Sequence, residues 1–194
     1  MKKTNFLVML AGLLAGTASL TATTVVPPTF EQLVDQAQEI FQGTVTDVKS
    51  QWIGEGDNRH IVSYITFQVK DALKGKPGRT FTMRAFGGTV DGESMEIGDA
   101  PKFAVGDEDI VFIENNGSQV VPLVGMMYGR FHVRKDQTGK AMVTTNEGRP
   151  LRNVARLGRE DASSGAEAAL SAESFKAAIH TRLQSSESNN KSLH

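Results

Sequence analysis

Apolar and polar positions alternate along much of the chain after residue 40, with the two-residue period of β-strands. The clearest run places Ile61, Ile65 and Phe67 on one face and polar residues on the other. Clusters of glycine, asparagine and aspartate separate this run from its neighbours. The further strands are predicted at residues 41–46, 80–85, 110–113, 120–124, 130–134 and 141–144. Six or seven short antiparallel strands are typical of a small barrel or sandwich, and we expect a mainly β fold of this kind.

Three places depart from simple alternation. The pair Asp47 and Val48 interrupts the first strand and predicts a β-bulge. Residues 110–113 are apolar throughout, which predicts a strand that is covered on both faces. The sequence Asn115-Asn116-Gly117 predicts a type I′ hairpin turn that returns into residues 120–124, where Pro122 confines the strand to an edge.

Helical spacing occurs at both ends of the strand-rich region. Thr29 and Gln32 fit a capping box, and the apolar residues that follow recur on one face, which predicts a short helix over residues 29–39. Near the other end, Phe175 and Ile179 share a face behind Ser171, a suitable N-cap residue. This pattern predicts a one-sided helix over residues 171–183 that packs against the sheet.

The first 22 residues have the layout of a cleavable signal peptide. Lys2 and Lys3 precede an apolar run over residues 6–14, and small residues follow, with cleavage predicted between about residues 18 and 22. We therefore expect a secreted or periplasmic protein. The predicted divisions of the rest are a barrel domain at 29–157, a linker at 158–170, the helix at 171–183 and a disordered polar tail at 184–194.

The charge and the cysteine count narrow the classes of protein. The formal net charge is −1, or −3 once the two leader lysines are removed, and no basic stripe suggests binding to nucleic acid. The chain has no cysteine, so neither disulfides nor a lipidated cysteine is available. We expect a monomer without a stable membrane anchor after signal cleavage, held together by packing of its core.

The residue types used in catalysis and metal binding do not form a recognisable motif. His60, His132, His180 and His194 lack the spacing of a zinc-binding pair, and His60 and His132 are predicted on outward strand positions. No Gly-x-Ser-x-Gly sequence occurs, and Gly87-Gly88 lacks the rest of a phosphate-binding loop. We assign no catalytic residue, no cofactor and no metal ligand.

An acidic stretch offers one alternative to this assignment. It comprises Asp91, Glu93, Glu96, Asp99, Asp107, Glu108 and Asp109. These carboxylates could bind calcium, but their spacing matches no calcium loop, and a solvated surface is the simpler interpretation.

The candidate partner-binding residues are Met126, Met127, Tyr128 and Trp52. The first three form a soft apolar segment between two glycines, which suits an adaptable contact if it is exposed, although core packing is the alternative. We expect an exported, non-catalytic binding or inhibitory module that acts on a protein or peptide. A structural, envelope-associated protein is the second possibility. A hydrolytic enzyme is the third, and it requires that folding bring His60 or His132 beside the acidic stretch in a pocket.

A set of apolar and glycine positions between Thr29 and Leu183 carries a resemblance to known proteins. It comprises residues 29–34 with Ala37, then 41–45, 67–69, 72–75, 87–88, 101–103, 105–106, Phe112, 124–125, 129–131 and Phe175. This set resembles an uncharacterised family of exported bacterial small β-barrel proteins, which implies a fold and no known reaction. More remotely, the strand that ends in Leu73-Lys74-Gly75 is similar to netrin-like modules and tissue inhibitors of metalloproteinases, which are OB-type barrels. Those inhibitors bind the protease zinc through an N-terminal cysteine, so this resemblance implies the barrel without that mechanism.

Overall fold

The computed structural model describes residues 26–159 and 168–191, so the predicted signal peptide and much of the predicted linker lie outside the described residues. The described residues form two α-helices and eight strands. In chain order these are α1 (Phe30–Gln36), β1 (Glu39–Ile53), β2 (His60–Lys74), β3 (Thr80–Phe86), β4 (Gly88–Val90), β5 (Glu93–Met95), β6 (Glu108–Ile113), β7 (Arg130–Lys135), β8 (Ala141–Thr145) and α2 (Ala172–Lys191).

Six of the strands form one antiparallel sheet in the order β3-β2-β1-β6-β7-β8, and β4 pairs with β5 in a small separate ribbon. The prediction of a mainly β, antiparallel fold with a helix near each end is therefore confirmed. The expected closure into a barrel is not reproduced by strand pairing, because β3 and β8 stand at opposite ends of the strand order. The protein is a six-stranded antiparallel sheet with a small second sheet and two helices.

The long, bent strand β1 joins the two halves of the sheet. Its first residues pair with β6, while its whole length pairs with β2. The register with β2 shifts between Val45 and Asp47, which confirms the bulge predicted from the sequence. At Gly43, where the register shifts again, the backbones of β1 and β2 lie close together. A Cβ atom there would lie 2.9 Å from the carbonyl oxygen of Gln68. These irregularities let one strand serve both halves.

The apolar side chains form two cores on opposite faces of the sheet. Ile110 and Phe112 of β6 point to the face that the helices cover, where they meet Phe131 and Phe175. The alternate residues Val111 and Ile113 point to the second core. The prediction that this strand is covered on both faces is confirmed.

Both helices begin as the sequence predicts, but they end elsewhere. The capping box of α1 is present, with Gln32 accepting from the Thr29 amide at 2.8 Å, and the helix ends at Gln36. Ser171 caps the start of α2, and Phe175 and Ile179 are fully buried beneath it.

The sequence predicts a disordered tail from residue 184, whereas in the structure α2 continues to Lys191. The hydroxyls of Ser185 and Ser188 donate to the carbonyls of the residues four positions earlier, and Arg182 forms an ion pair with Asp35 of α1. Polar composition therefore marks the exposed part of a docked helix here.

The segment after β6 does not form the predicted hairpin. Only Gly117, of the two central residues of the turn from Asn115 to Ser118, has a positive φ, so the turn lacks the type I′ conformation. Within residues 114–125 the described pairing with β6 is an isolated bridge, between Leu123 and Ile113. Pro122 lacks an amide hydrogen and cannot continue a regular ladder.

The same segment instead caps the outer edge of β3. The side chain of Asn116 accepts from the Arg84 amide through Oδ1 and donates to the Thr82 carbonyl through Nδ2, each at 2.9 Å. Val120 contributes its carbonyl to the Phe86 amide at 2.8 Å. A loop that leaves β6 thus satisfies the backbone of the distant edge strand.

Candidate binding groove and the ionic cluster beside it

A buried ionic cluster lies where β6 meets β7. Arg130 and His132 are two residues apart on β7, so their side chains emerge on the same face. Asp109 of β6 lies directly opposite His132 in the register. All three are buried, with exposed fractions of 2% for Arg130, 8% for His132 and 0% for Asp109.

Both oxygens of the Asp109 carboxylate are occupied. Oδ2 accepts from Arg130 Nε at 3.0 Å, and Oδ1 lies 2.7 Å from His132 Nδ1. The guanidinium also donates from Nη2 to Asp107 at 2.7 Å and from Nη1 to the Lys102 carbonyl at 2.7 Å. One arginine therefore fixes two carboxylates and a loop backbone.

His132 is buried, which corrects the prediction of a surface position. The alternation correctly predicts the strand and the face on which His132 lies. That face is covered, because residue 146 folds back over it and the Asn146 carbonyl lies 3.3 Å from His132 Nε2. The histidine does stand beside Asp107 and Asp109, next to an open depression of about 440 Å³. Each ring nitrogen nevertheless lies against an oxygen of the protein, Nδ1 against Asp109 and Nε2 against the Asn146 carbonyl, so the ring is held in a fixed network.

The other histidines are not drawn into this cluster. His60 is half-buried and stacks on the Phe86 ring at a centroid distance of 4.6 Å. His180 is exposed on α2, and His194 lies outside the described residues.

The carboxyl group of Asp107 is the part of the cluster that reaches solvent. Burial by itself raises the pKa of Asp107, but hydrogen bonds from the Ala104 amide and from Arg130 outweigh it, so the pKa lies below its usual value. A lowered pKa in the folded state means that the ionised carboxylate stabilises the fold above the unfolded pKa of about 4.

We expect this contribution to be lost as the pH falls below about 4 towards the lower pKa of the folded state. Asp107→Asn removes the titrating group, so the free energy of unfolding of the variant should fall less steeply between about pH 4 and pH 2. Urea unfolding at a series of pH values measures both curves. Parallel curves for the two proteins would show that Asp107 does not contribute.

A groove of about 220 Å³ adjoins the cluster on the helix side of β7. Its floor consists of apolar side chains that are buried in the first core, Leu33, Phe131 and Leu157. Met127 and Tyr128 form one wall, and Pro27 and Pro28 belong to the N-terminal side. The groove therefore joins four separate parts of the chain.

The methionine segment is held by backbone conformation. Gly125 and Met126 both have positive φ, at 63° and 58°, and residues Met126–Gly129 follow as one short 3-10 helix. A Cβ atom at Gly125 would lie 2.9 Å from Pro28 Cδ, so glycine permits the close approach of the N-terminal segment. This turn aims consecutive side chains in different directions.

The structure brings together two of the four predicted partner-binding residues. Met127 and Tyr128 line the groove, whereas Met126 packs against the second core. Trp52 lies at the hairpin end of β1, where the Arg59 guanidinium sits 4.0 Å above its ring. All four are half-buried, so they combine packing with partial exposure.

Charged residues outside the four predicted partner-binding positions complete the groove. Arg149 and Arg159 stand at its rim, with Glu147 beside them. Arg149 Nη2 lies 3.5 Å from Glu147, while Arg159 has no ion pair within the described residues. Both arginines follow β8 in the chain, and no spacing pattern within one segment predicts them as part of the groove. For the ionic cluster, the sequence shows only that Arg130 and His132 are two residues apart and therefore share a strand face.

Two members of the acidic stretch, Asp107 and Asp109, meet at Arg130, whereas the others have separate positions. Glu96 forms an ion pair with Lys102 at 2.7 Å, and Asp91 and Asp99 occupy turns with positive φ. Across residues 26–159 and 168–191 there is no group of three or more acidic, histidine or cysteine residues that could hold a metal ion.

Comparison with known proteins adds no assignment: no protein-family model and no curated protein matches the chain. In the part of the chain that the structure describes, no helix has the length and apolar character needed to cross a membrane.

Proposed function

We propose that the protein is an exported, non-catalytic binding module that holds a peptide segment of a partner in the groove formed by Met127 and Tyr128. The observation that carries this proposal is a formed apolar groove with two arginines at its rim. The occupant is an extended peptide that places one apolar side chain on the floor and an acidic residue against Arg149 and Arg159.

The size and composition of the groove support a single side chain as the anchor. Its volume of about 220 Å³ is below the range of about 300–1,000 Å³ that is typical of sites for whole small molecules. Leu33, Phe131 and Leu157 give a fixed floor, while the flexible Met127 adapts the wall to the entering side chain. Such a pocket supplies the central anchor that dominates many protein interfaces.

Charge supports the acidic neighbour. Arg159 has no ion pair within the described residues, and Arg149 makes only a long contact with Glu147. A carboxylate beside the apolar anchor would gain two guanidinium partners, and guanidinium groups bind carboxylates with good geometry. The half-buried state of Met127 and Tyr128 favours this limited contact over the broad self-association expected of an envelope-associated structural protein.

We also propose that the fold is an OB-like barrel, remotely related to netrin-like modules, whose closure depends on a loop. The first strand lies at the centre of the sheet, between β2 and β6, and the first three strands form a meander. The Asn116 segment spans from β6 to the edge of β3. These contacts support a barrel that is completed by a loop in place of a strand ladder.

Peptide binding provides the test of the proposed function. The probes are two fluorescein-labelled glycine-serine peptides, one with a leucine followed by two aspartates and one with a leucine followed by two lysines. We expect fluorescence anisotropy to show tighter binding of the aspartate peptide. Met127→Ala should weaken it at least about fivefold, because removal of an interface anchor costs about 1 kcal/mol or more.

Matched variants separate the groove from general effects. Met142→Ala changes a half-buried methionine on β8 that does not line the groove and should leave the affinity unchanged. Arg159→Glu should abolish the preference for the aspartate peptide. Equal binding of both peptides by the unmodified protein, or equal losses for the two methionine variants, would refute the proposal.

A further inference from the structure

A second cavity lies on the other face of the sheet, between β1, β2 and β3 and the segment at residues 95–103. Its volume is about 400 Å³, which falls within the range of small-molecule sites of about 300–1,000 Å³. It shares no lining residue with the Met127 groove. We call it the serine cleft, after Ser50 and Ser63.

Apolar side chains form most of the serine cleft. Val48, Ile65 and Ala85 project from the three strands, and Met95 and Phe103 face them from the connecting segment. An apolar body is therefore the part of a ligand that this cavity would cover.

The wall opposite the strands is held in place by the ionic cluster. Arg130 donates to the Lys102 carbonyl at 2.7 Å, and its guanidinium lies 4.0 Å above the Phe103 ring. Phe103 also meets Phe67 of the second core edge to face, at a centroid distance of 5.7 Å. Because a buried arginine and a buried ring fix Phe103, the cleft is formed before a ligand arrives.

A chain of hydrogen bonds fixes the polarity of the two serines. Ser63 Oγ donates to the Gly87 carbonyl at 2.6 Å, so its one hydroxyl proton is used there. Ser50 Oγ lies 2.8 Å from Ser63 Oγ, and Ser50 must be the donor in that contact. Both hydroxyl protons are therefore engaged within the protein, and the Ser50 hydroxyl has no other hydrogen bond within the described residues.

Gly88 leaves the space beside the two serine hydroxyls that a larger residue would fill. A Cβ atom at this position would lie within 2.4 Å of both hydroxyl oxygens, and the φ of 138° also favours glycine. The backbone can therefore lie directly over the hydroxyl pair.

The rim does not favour an anion. Lys102 Nζ is the cation at the entrance, and it forms an ion pair with Glu96 at 2.7 Å. The polar part of the floor offers lone pairs, and the charges at the rim compensate each other.

We propose that the serine cleft binds a small apolar molecule that donates one hydrogen bond, such as an aromatic alcohol, to Ser50 Oγ. An isosteric ether would place an acceptor against acceptors and leave both unpaired, which is unfavourable in a largely apolar site. A carboxylate of similar size would place its negative charge against the lone pairs of the serine oxygens and should bind less tightly still. The cleft should therefore rank three similar ligands as phenol, ether and carboxylate.

The experiment uses 4-ethylphenol, its isomer 4-methylanisole and 4-ethylbenzoate as probes and NMR of methionine methyl groups as the readout. Titration with the phenol should shift the Met95 methyl signal, which lies in the cleft, and leave Met142 on β8 unshifted. We expect the phenol to bind about tenfold more tightly than the ether, the loss expected for an unmade buried hydrogen bond. The benzoate should bind most weakly.

Two variants test the two parts of the proposal. Ser50→Ala should reduce the preference for the phenol over the ether at least about threefold, because the outer acceptor is removed. Ala100→Leu fills the entrance and should weaken both neutral ligands. Ser185→Ala, which removes a hydroxyl from α2, should change neither property.

Several outcomes would overturn the inference. They are the absence of a Met95 shift with all three probes, an affinity for the ether equal to that for the phenol, and a preference for the benzoate. The outcome is independent of peptide binding, because the two sites have no lining residue in common.

Discussion

Asp109→Asn is expected to lower the free energy of unfolding by about 3–5 kcal/mol, the range for removing one member of a buried ion pair. The variant keeps the shape of the side chain but replaces one acceptor oxygen by a donor nitrogen. That nitrogen must face either Arg130 Nε or His132 Nδ1, both of which approach Asp109 in the native protein. Facing Arg130, it would set two donors against each other; facing His132, it would require the ring to accept at Nδ1. In both cases the buried guanidinium of Arg130 loses the charge of Asp109.

Urea unfolding followed by Trp52 fluorescence and circular dichroism measures this effect. Asp91→Asn, in an exposed turn with positive φ that asparagine tolerates, is the control and should change stability by less than about 0.5 kcal/mol. Replacing the pair by apolar residues, in Arg130→Met with Asp109→Leu, should restore much of the loss. A loss below about 1 kcal/mol in Asp109→Asn would mean that the cluster is not an energetic unit.

Phe175→Ala is expected to destabilise the protein by about 3–5 kcal/mol, the usual cost of removing a large ring from a core. Phe175 is fully buried, and its ring lies 4.9 Å from that of Phe131 and 6.0 Å from that of Phe30. The substitution removes a ring that packs α2 against both α1 and the sheet. Because most of the stability of a helix in a protein comes from the packing of its apolar face, α2 should lose structure before the sheet does.

Hydrogen exchange of the α2 amides, together with urea unfolding, tests the second effect. His180→Ala changes an exposed position on the same helix and should alter stability by less than about 0.5 kcal/mol. Phe175→Leu keeps most of the apolar volume and should fall between the two. Equal protection of α2 in Phe175→Ala and in the unmodified protein would refute the docking role of this ring.

Features with a local cause could be predicted from the sequence. The capping box needs only Thr29 and Gln32, and the bulge shows as an interrupted alternation at Asp47. The double-sided burial of β6 follows from its unbroken apolar run. In each case residues within a few positions of each other determine the outcome.

Features that depend on distant residues could not be predicted in this way. The Asn-Gly turn is compatible with a hairpin, but Asn116 instead meets Arg84 and Thr82 of a strand more than 30 residues away. His132 alternates as an outward residue should, and its burial comes from residue 146. The last turns of α2 are stabilised in part by Asp35, which lies far away in the sequence.

The candidate groove shows the same division. The apolar segment between two glycines predicts Met127 and Tyr128 as partner-binding residues, and both line the groove. Trp52, the fourth predicted partner-binding residue, instead lies at the hairpin end of the 15-residue strand β1. The arginine rim arises from the packing of separate segments, which a spacing pattern within one segment does not reveal.

Arg130 links the two candidate sites physically. It lines the Met127 groove, and through Lys102 and Phe103 it also holds a wall of the serine cleft. Loss of this arginine should therefore disturb both sites, whereas Met127→Ala and Ser50→Ala should each disturb only one.

The cap that Asn116 places on β3 limits the size of the sheet. An unpaired edge strand is a template onto which a further strand can add, from the same molecule or from a neighbour. The Asn116 side chain occupies one donor and one acceptor of the outer edge of β3, and residues 149–151 and Leu170 bind backbone groups of β8. Each molecule thereby uses part of both edges of its own ladder, which leaves a strand from a second copy fewer backbone groups to pair with.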